Sequence, residues 1–97
     1  MEIVKYFYSR PEESKNRITI CGIFDTETKT MTFGASRCSK QDTFKKDFGR
    51  KIAYGRAQRN PYLETDVLEN EKISDVFRTN CLEICEEIKV MPFPRIF

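Results

Sequence analysis

The 97 residues include 17 Lys and Arg against 15 Asp and Glu, no histidine and four cysteines. A chain of this length holds one core, and no apolar run nears the roughly 18 residues of a membrane span. The start, Met1-Glu2-Ile3-Val4-Lys5-Tyr6, lacks the charged beginning and long apolar centre of a signal peptide, so the composition predicts a single domain (1–97) in the cytoplasm, with no membrane partner and with homo-oligomerisation as a means of burying more surface.

Ile3 to Ser9 is rich in β-branched and aromatic residues and reads as a strand. Arg10-Pro11-Glu12-Glu13-Ser14-Lys15 follows as a charged loop whose proline stops that strand. Arg17 to Phe24 sets Ile18, Ile20, Gly22 and Phe24 on one side and Thr19, Cys21 and Ile23 on the other, a second strand. The polar turn Asp25 to Lys29 leads to a third, Thr30 to Cys38, where Met31, Phe33 and Ala35 alternate with Thr32, Gly34 and Ser36. Residues 1–38 therefore read as a β-meander.

Ser39, with Asp42 three residues on, marks the start of a basic helix over 39–60 that Asn60-Pro61 ends. At 100° per residue, Phe44, Phe48, Ile52 and Gly55 gather on one face, predicted to lie on the sheet. Lys45 and Arg56 fall to one flank of it, Lys46 and Arg50 lie round the far side, and Lys51 falls near the Phe44 row, aimed past the sheet edge or into a cleft. Residues 61–73 form an acidic connector with Val67 and Leu68 as anchors. Ser74 caps a second helix over 74–90, whose stripe Phe77, Cys81, Ile84 and Ile88 is core. The apolar tail 91–97 is barred from helix by its prolines and is read as docking, on its own domain or on a partner, through Phe93, Ile96 and Phe97. The predicted fold is α+β: an antiparallel sheet of three or slightly more strands with two helices packed on one face, in the order β-β-β-α-α.

The residues with chemistry to offer are in the basic helix. Gly49-Arg50-Lys51-Ile52-Ala53-Tyr54-Gly55-Arg56 repeats a Gly-Arg pair after six residues. Each glycine weakens a helix by about 0.8 to 1 kcal/mol relative to alanine, so something comes close there, either another backbone or a ligand. Guanidinium beside bare backbone suits a phosphate-bearing partner. Residues 1–60 carry 13 Lys and Arg against 7 Asp and Glu, and residues 61–97 carry 4 against 8, which predicts a basic working surface and an acidic back. Arg37, Lys40, Lys45, Lys46, Arg50 and Arg56 are the expected phosphate contacts, with Gly49 and Gly55 as points of close approach and Tyr6 and Tyr54 as stacking groups.

Catalysis is disfavoured, because histidine is absent and no serine, cysteine or carboxylate pair has a recognisable catalytic spacing. Cys21, Cys38, Cys81 and Cys85 lie in apolar periodic segments and read as reduced core thiols. Without histidine or a Cys-x-x-Cys, neither metal nor cofactor is expected.

Gly34-Ala35-Ser36-Arg37-Cys38-Ser39-Lys40, Phe44-Lys45-Lys46 and Gly49 to Arg56 together resemble the central segment of small accessory proteins of bacteriophages. That resemblance implies a phage-encoded factor in a bacterial host cell, acting on host defence or gene expression. Three strands followed by a helix opening at Ser39-Lys40 are also similar in plan to the later part of a double-stranded-RNA-binding domain, whose lysines at that helix start grip phosphates. The reading that joins these features is a non-enzymatic binder of nucleic acid. Sequestration of a small nucleotide signal, and inhibition of a host enzyme through the acidic connector or the tail, stay open beside it.

Overall fold

In the computed structural model, residues 1–9, 17–38 and 46–90 are described. Strands β1 (Glu2–Tyr8), β2 (Arg17–Asp25) and β3 (Thr30–Cys38) precede helix α1 (Lys46–Arg59), a fourth strand β4 (Leu63–Asp66) and helix α2 (Ile73–Lys89). The sheet runs β1-β2-β3-β4 with every neighbouring pair antiparallel. The α+β class is as the sequence predicts, with four strands rather than three and a strand between the helices.

That extra strand comes from the segment expected to be connector. Leu63-Glu64-Thr65-Asp66 is too short and too acidic to announce itself, and its place is set by the free edge of β3. Backbone bonds bracket the pairing: the Tyr62 N–H donates to the Phe33 carbonyl at 2.7 Å and the Val67 N–H to that of Lys29 at 2.9 Å. Val67 is buried, whereas Leu68 is exposed and anchors nothing.

The helices cover opposite faces of the sheet, which corrects the expectation of one shared face. On one side Ile18, Ile20 and Phe24 of β2 and Met31, Phe33 and Ala35 of β3 pack with Phe77, Cys81, Ile84, Cys85 and Ile88 of α2. On the other, Cys21 and Ile23 meet Ala53 and Ala57 of α1. The reason lies in β2, which is buried without a break from Ile18 to Phe24. A strand apolar on both sides needs a layer on each.

The two layers sit at different heights. On the α2 side large groups fill the gap, with the Phe77 and Phe33 rings stacked at 6.0 Å between centroids. On the α1 side the helix backbone rests on the sheet: a Cβ at Gly34 would stand 2.2 Å from the Ala53 carbonyl oxygen and 2.3 Å from the Ala57 nitrogen. The face of α1 turned to the sheet is therefore Gly49, Ala53 and Ala57, and not the predicted Phe48, Ile52 and Gly55. Phe48 is 65% exposed. A Cβ at Gly49 would lie 2.8 Å from the Thr19 Oγ1, and the Ser36 hydroxyl donates to the Gly49 carbonyl at 3.0 Å. Gly49 thus serves packing, while a Cβ at Gly55 would meet nothing within 4 Å among the described residues.

The α2 stripe is buried as its spacing predicts, but the helix starts one residue earlier than expected. Lys72, not Ser74, stands at the N-cap position and makes no side-chain cap bond. The Glu71 carboxylate instead receives the Leu68 N–H at 2.9 Å in the turn before it. The Ser39 cap, the 10–15 loop and the 91–97 tail lie outside the described residues.

Two expectations about stability follow. In urea denaturation Gly34→Ala should lose about 3 kcal/mol or more, because the added methyl meets backbone that has nowhere to go. Gly55→Ala should gain about 0.8 to 1 kcal/mol, the plain helix-propensity difference at an open position. A pH effect is expected at Tyr62, whose hydroxyl donates to the Glu87 carboxylate at 2.7 Å. Burial, then that carboxylate, pushes its pKa up from 10.0 to about 12. A folded-state value above the unfolded one contributes stability in full below about pH 10 and loses it as pH rises through about 12. The urea midpoint of Tyr62→Phe should therefore fall less steeply than that of the wild type between pH 9 and 12.

Candidate nucleic-acid interface

The charge asymmetry of the sequence becomes an asymmetry between faces. Helix α1 carries Lys46, Arg50, Lys51, Arg56 and Arg59 against Asp47, a net of +4. Helix α2, on the far side, carries Arg78 and Lys89 against Asp75, Glu83, Glu86 and Glu87, a net of −2, and the edge strand β4 adds Glu64 and Asp66.

Helix α1 packs on β2 and β3 and leaves the same face of β1 as a shelf beside it. Val4, Tyr6 and Tyr8 stand opposite Ile23, Cys21 and Thr19 of β2, so all three side chains rise on the α1 side. Val4 is 38% and Tyr6 36% exposed. From the helix, Arg50 reaches across to this shelf. Its Nη1 donates to the Tyr8 hydroxyl at 3.3 Å, its Cζ lies over the Tyr6 ring at 6.0 Å from the centroid, and Asp47 one turn back pairs with its Nη2. The Tyr8 bond, ahead of Asp47, pushes the Arg50 pKa up and holds the guanidinium charged. One turn further on, Tyr54 packs against the α1-side core, and its hydroxyl accepts from Gln58 at 3.0 Å.

Tyr6 stands beside the buried Cys21 of β2. Burial, followed by the Cys21 thiol, pushes the Tyr6 pKa up. Burial also pushes Cys21 up to about 12 and drives Cys81 upward as well. At neutral pH both stay protonated, which makes them poor nucleophiles.

The field along this face has a direction. The N-terminal end of α1, the positive end of its dipole, lies toward Thr19 and Ser36 and hence toward Tyr8. At the other end Glu2, Asp25 and Glu64 line a polar cleft with Gln58. An anion is drawn to the Arg50 end and repelled from the hairpin end.

The predicted phosphate contacts do not converge as a set. Arg56 leaves the opposite flank of α1 and donates from Nη1 to the Ala35 carbonyl at 2.9 Å. That carbonyl stands where β3 runs on beyond its pairing with β4, which ends at Phe33. Burial pulls the Arg56 pKa down. Arg37 lies on the α2 side of the sheet, where its Nη1 donates at 2.8 Å to the Ile88 carbonyl in the last turn of the helix, which also accepts the Val90 N–H. Burial lowers its pKa too. Both arginines therefore bind the protein's own backbone. Lys46 opens α1, Lys51 is exposed, and Lys40, Lys45, Phe93, Ile96 and Phe97 lie outside the described residues.

Tyr6, Tyr54 and Arg50 are brought to one flank. Tyr8 was missed, although its two-residue spacing from Tyr6 on a strand was the signal that would have found it. Among the described residues no group of three or more His, Cys, Asp or Glu gathers to hold a metal, and no helix is long and apolar enough to cross a membrane. Comparison of the chain with known protein families, with curated proteins and with solved structures finds no match.

Proposed function

We propose that the protein works by binding rather than by chemistry, and that its partner is nucleic acid held on the α1 face. The observation that carries this reading is the grouping of Arg50 with Tyr6 and Tyr8 toward the positive end of a helix of net +4, with Tyr54 one turn further on. Charged and aromatic groups side by side suit a polymer that offers phosphates and rings together. A second support comes from the outer surface of α1. Gly55 sits one turn from Lys51 and one turn from Arg59 in a single column, with open space above it. Bare backbone between two exposed cations is a flat, positive landing for an anionic chain. The bacteriophage resemblance adds that the nucleic acid or signal bound belongs to a bacterial host cell.

Fluorescence anisotropy of a labelled oligonucleotide, titrated at rising salt, tests the proposal. Binding should weaken linearly in log[salt], with a slope of about 0.7 to 0.9 per phosphate neutralised. Arg50→Ala and Lys51→Ala should each weaken binding for all sequences and lower that slope by about 1. Arg37→Ala should leave the slope unchanged, because that guanidinium serves α2 on the other face. Binding absent at low salt, or a slope near zero, would sink the proposal and turn attention to a protein partner at the exposed Phe48 and Leu68.

A further inference from the structure

We infer that the Tyr6–Arg50 pair is an open clamp for one unpaired nucleotide, with the base between ring and guanidinium and the phosphate on the α1 side. This rests on the phosphate-binding reading above and narrows it from polyanions in general to nucleotides whose bases are free of a duplex.

The spacing is the first argument. A guanidinium stacked directly on a ring comes much closer than 6.0 Å, the distance that separates the Arg50 Cζ from the Tyr6 centroid. A base stacks at about 3.4 Å, so a base between two planar groups requires about 6.8 Å, twice the same rise. At 6.0 Å from the centroid, the outer reach of a cation–π contact, the guanidinium is near the ring without being tightly stacked on it, and a base enters when the side chain swings outward. Arg50 is anchored by partners off to the side, Tyr8 and Asp47, and not by the ring alone.

The second argument is the floor. Tyr6 itself stands beside the buried Cys21 of β2, and its residue is 36% exposed. A ring seated on the sheet with part of its surface open loses little freedom on stacking. Tyr8 and Val4 continue the shelf along β1 at the two-residue strand period, so a chain running along β1 meets a second ring after the first. Duplex bases are already stacked on one another and cannot enter such a clamp without being extruded.

Single-stranded nucleic acid and a free nucleotide share this chemistry. Tyrosine emission reports the event directly, because the chain has four tyrosines and no tryptophan. The full-length protein is titrated with oligo(dT) of increasing length, with a blunt duplex of random sequence, and with AMP and a cyclic dinucleotide. The expected result is quenching by single strands or by a small nucleotide at concentrations where the duplex gives none. Affinity that climbs with oligomer length marks the polymer as the ligand, and affinity indifferent to length marks the small nucleotide. Tyr6→Leu should weaken binding about 5- to 150-fold, the range for one stacked base, while Tyr6→Phe, which keeps the ring, should stay near wild type. Arg50→Lys, at a half-buried flank position of α1, should keep the salt slope and weaken the quenching. Equal binding of duplex and single strand, unaffected by Tyr6→Leu or Arg50→Lys, would overturn the clamp and leave the basic-face reading intact. No binding to any of these probes would remove both.

Discussion

The close seating of α1 on the sheet is the constraint from which the rest of the structure follows. With no Cβ at Gly34, the backbone of Ala53 and Ala57 comes down to distances at which a methyl has no room. A helix held this near has no space for large side chains beneath it, so its buried face is Gly49, Ala53 and Ala57, and its large groups are forced to the flanks or outward. Tyr54 goes to the β1 flank, and Phe48 faces solvent. The low position also brings Arg50 within reach of Tyr6 and Tyr8, which a helix standing on leucines at the usual spacing of about 10 Å would carry past. The packing and the candidate site are therefore one arrangement.

Opposite covers on one sheet also divide the charge. The chain passes from β3 through α1 to β4 and only then to α2, so the basic first part and the acidic second part end on different faces. Three arginines that look alike in the sequence acquire different work from this division. Arg37 bonds the Ile88 carbonyl under α2, Arg56 serves the Ala35 carbonyl past the end of β4, and Arg50 lies over an aromatic ring. Guanidinium groups that bond part-buried backbone carbonyls tie elements of the fold together, each bond to a charged donor contributing about 1.5 to 3 kcal/mol.

Much of this was legible in the sequence. Three strands, their alternation and the α2 stripe follow from period-two and period-3.6 patterns, because in those elements the buried residues are the large apolar ones. Where burial falls on small residues the pattern fails: Gly49, Ala53 and Ala57 contribute little hydrophobicity, and Phe48 and Ile52 drew the face to the wrong side. The clue was Gly34, a glycine inside a strand, which marks close backbone approach. Leu63 to Asp66 was invisible as a strand because four residues with two acids are placed by the edge they meet and not by their own preference. The two-sided apolar character of Ile18 to Phe24 held the correct layering, since a strand with one wet face does not read Ile-Thr-Ile-Cys-Gly-Ile-Phe.

The two helix glycines, identical in local sequence, then separate on physical grounds. Gly49 is required by the sheet below it, where Thr19 and Ser36 leave no space. Gly55 has no such reason: among the described residues nothing lies within 4 Å of where its side chain would be, and alanine there would favour the helix by about 0.8 to 1 kcal/mol. Packing within the described fold therefore does not ask for glycine between Lys51 and Arg59. Tyr6 likewise stays part-exposed under Arg50, on a shelf that α1 could have covered had it sat one strand over. Both positions face the side of the sheet that carries the positive charge, which is the side on which the proposed anionic partner would sit.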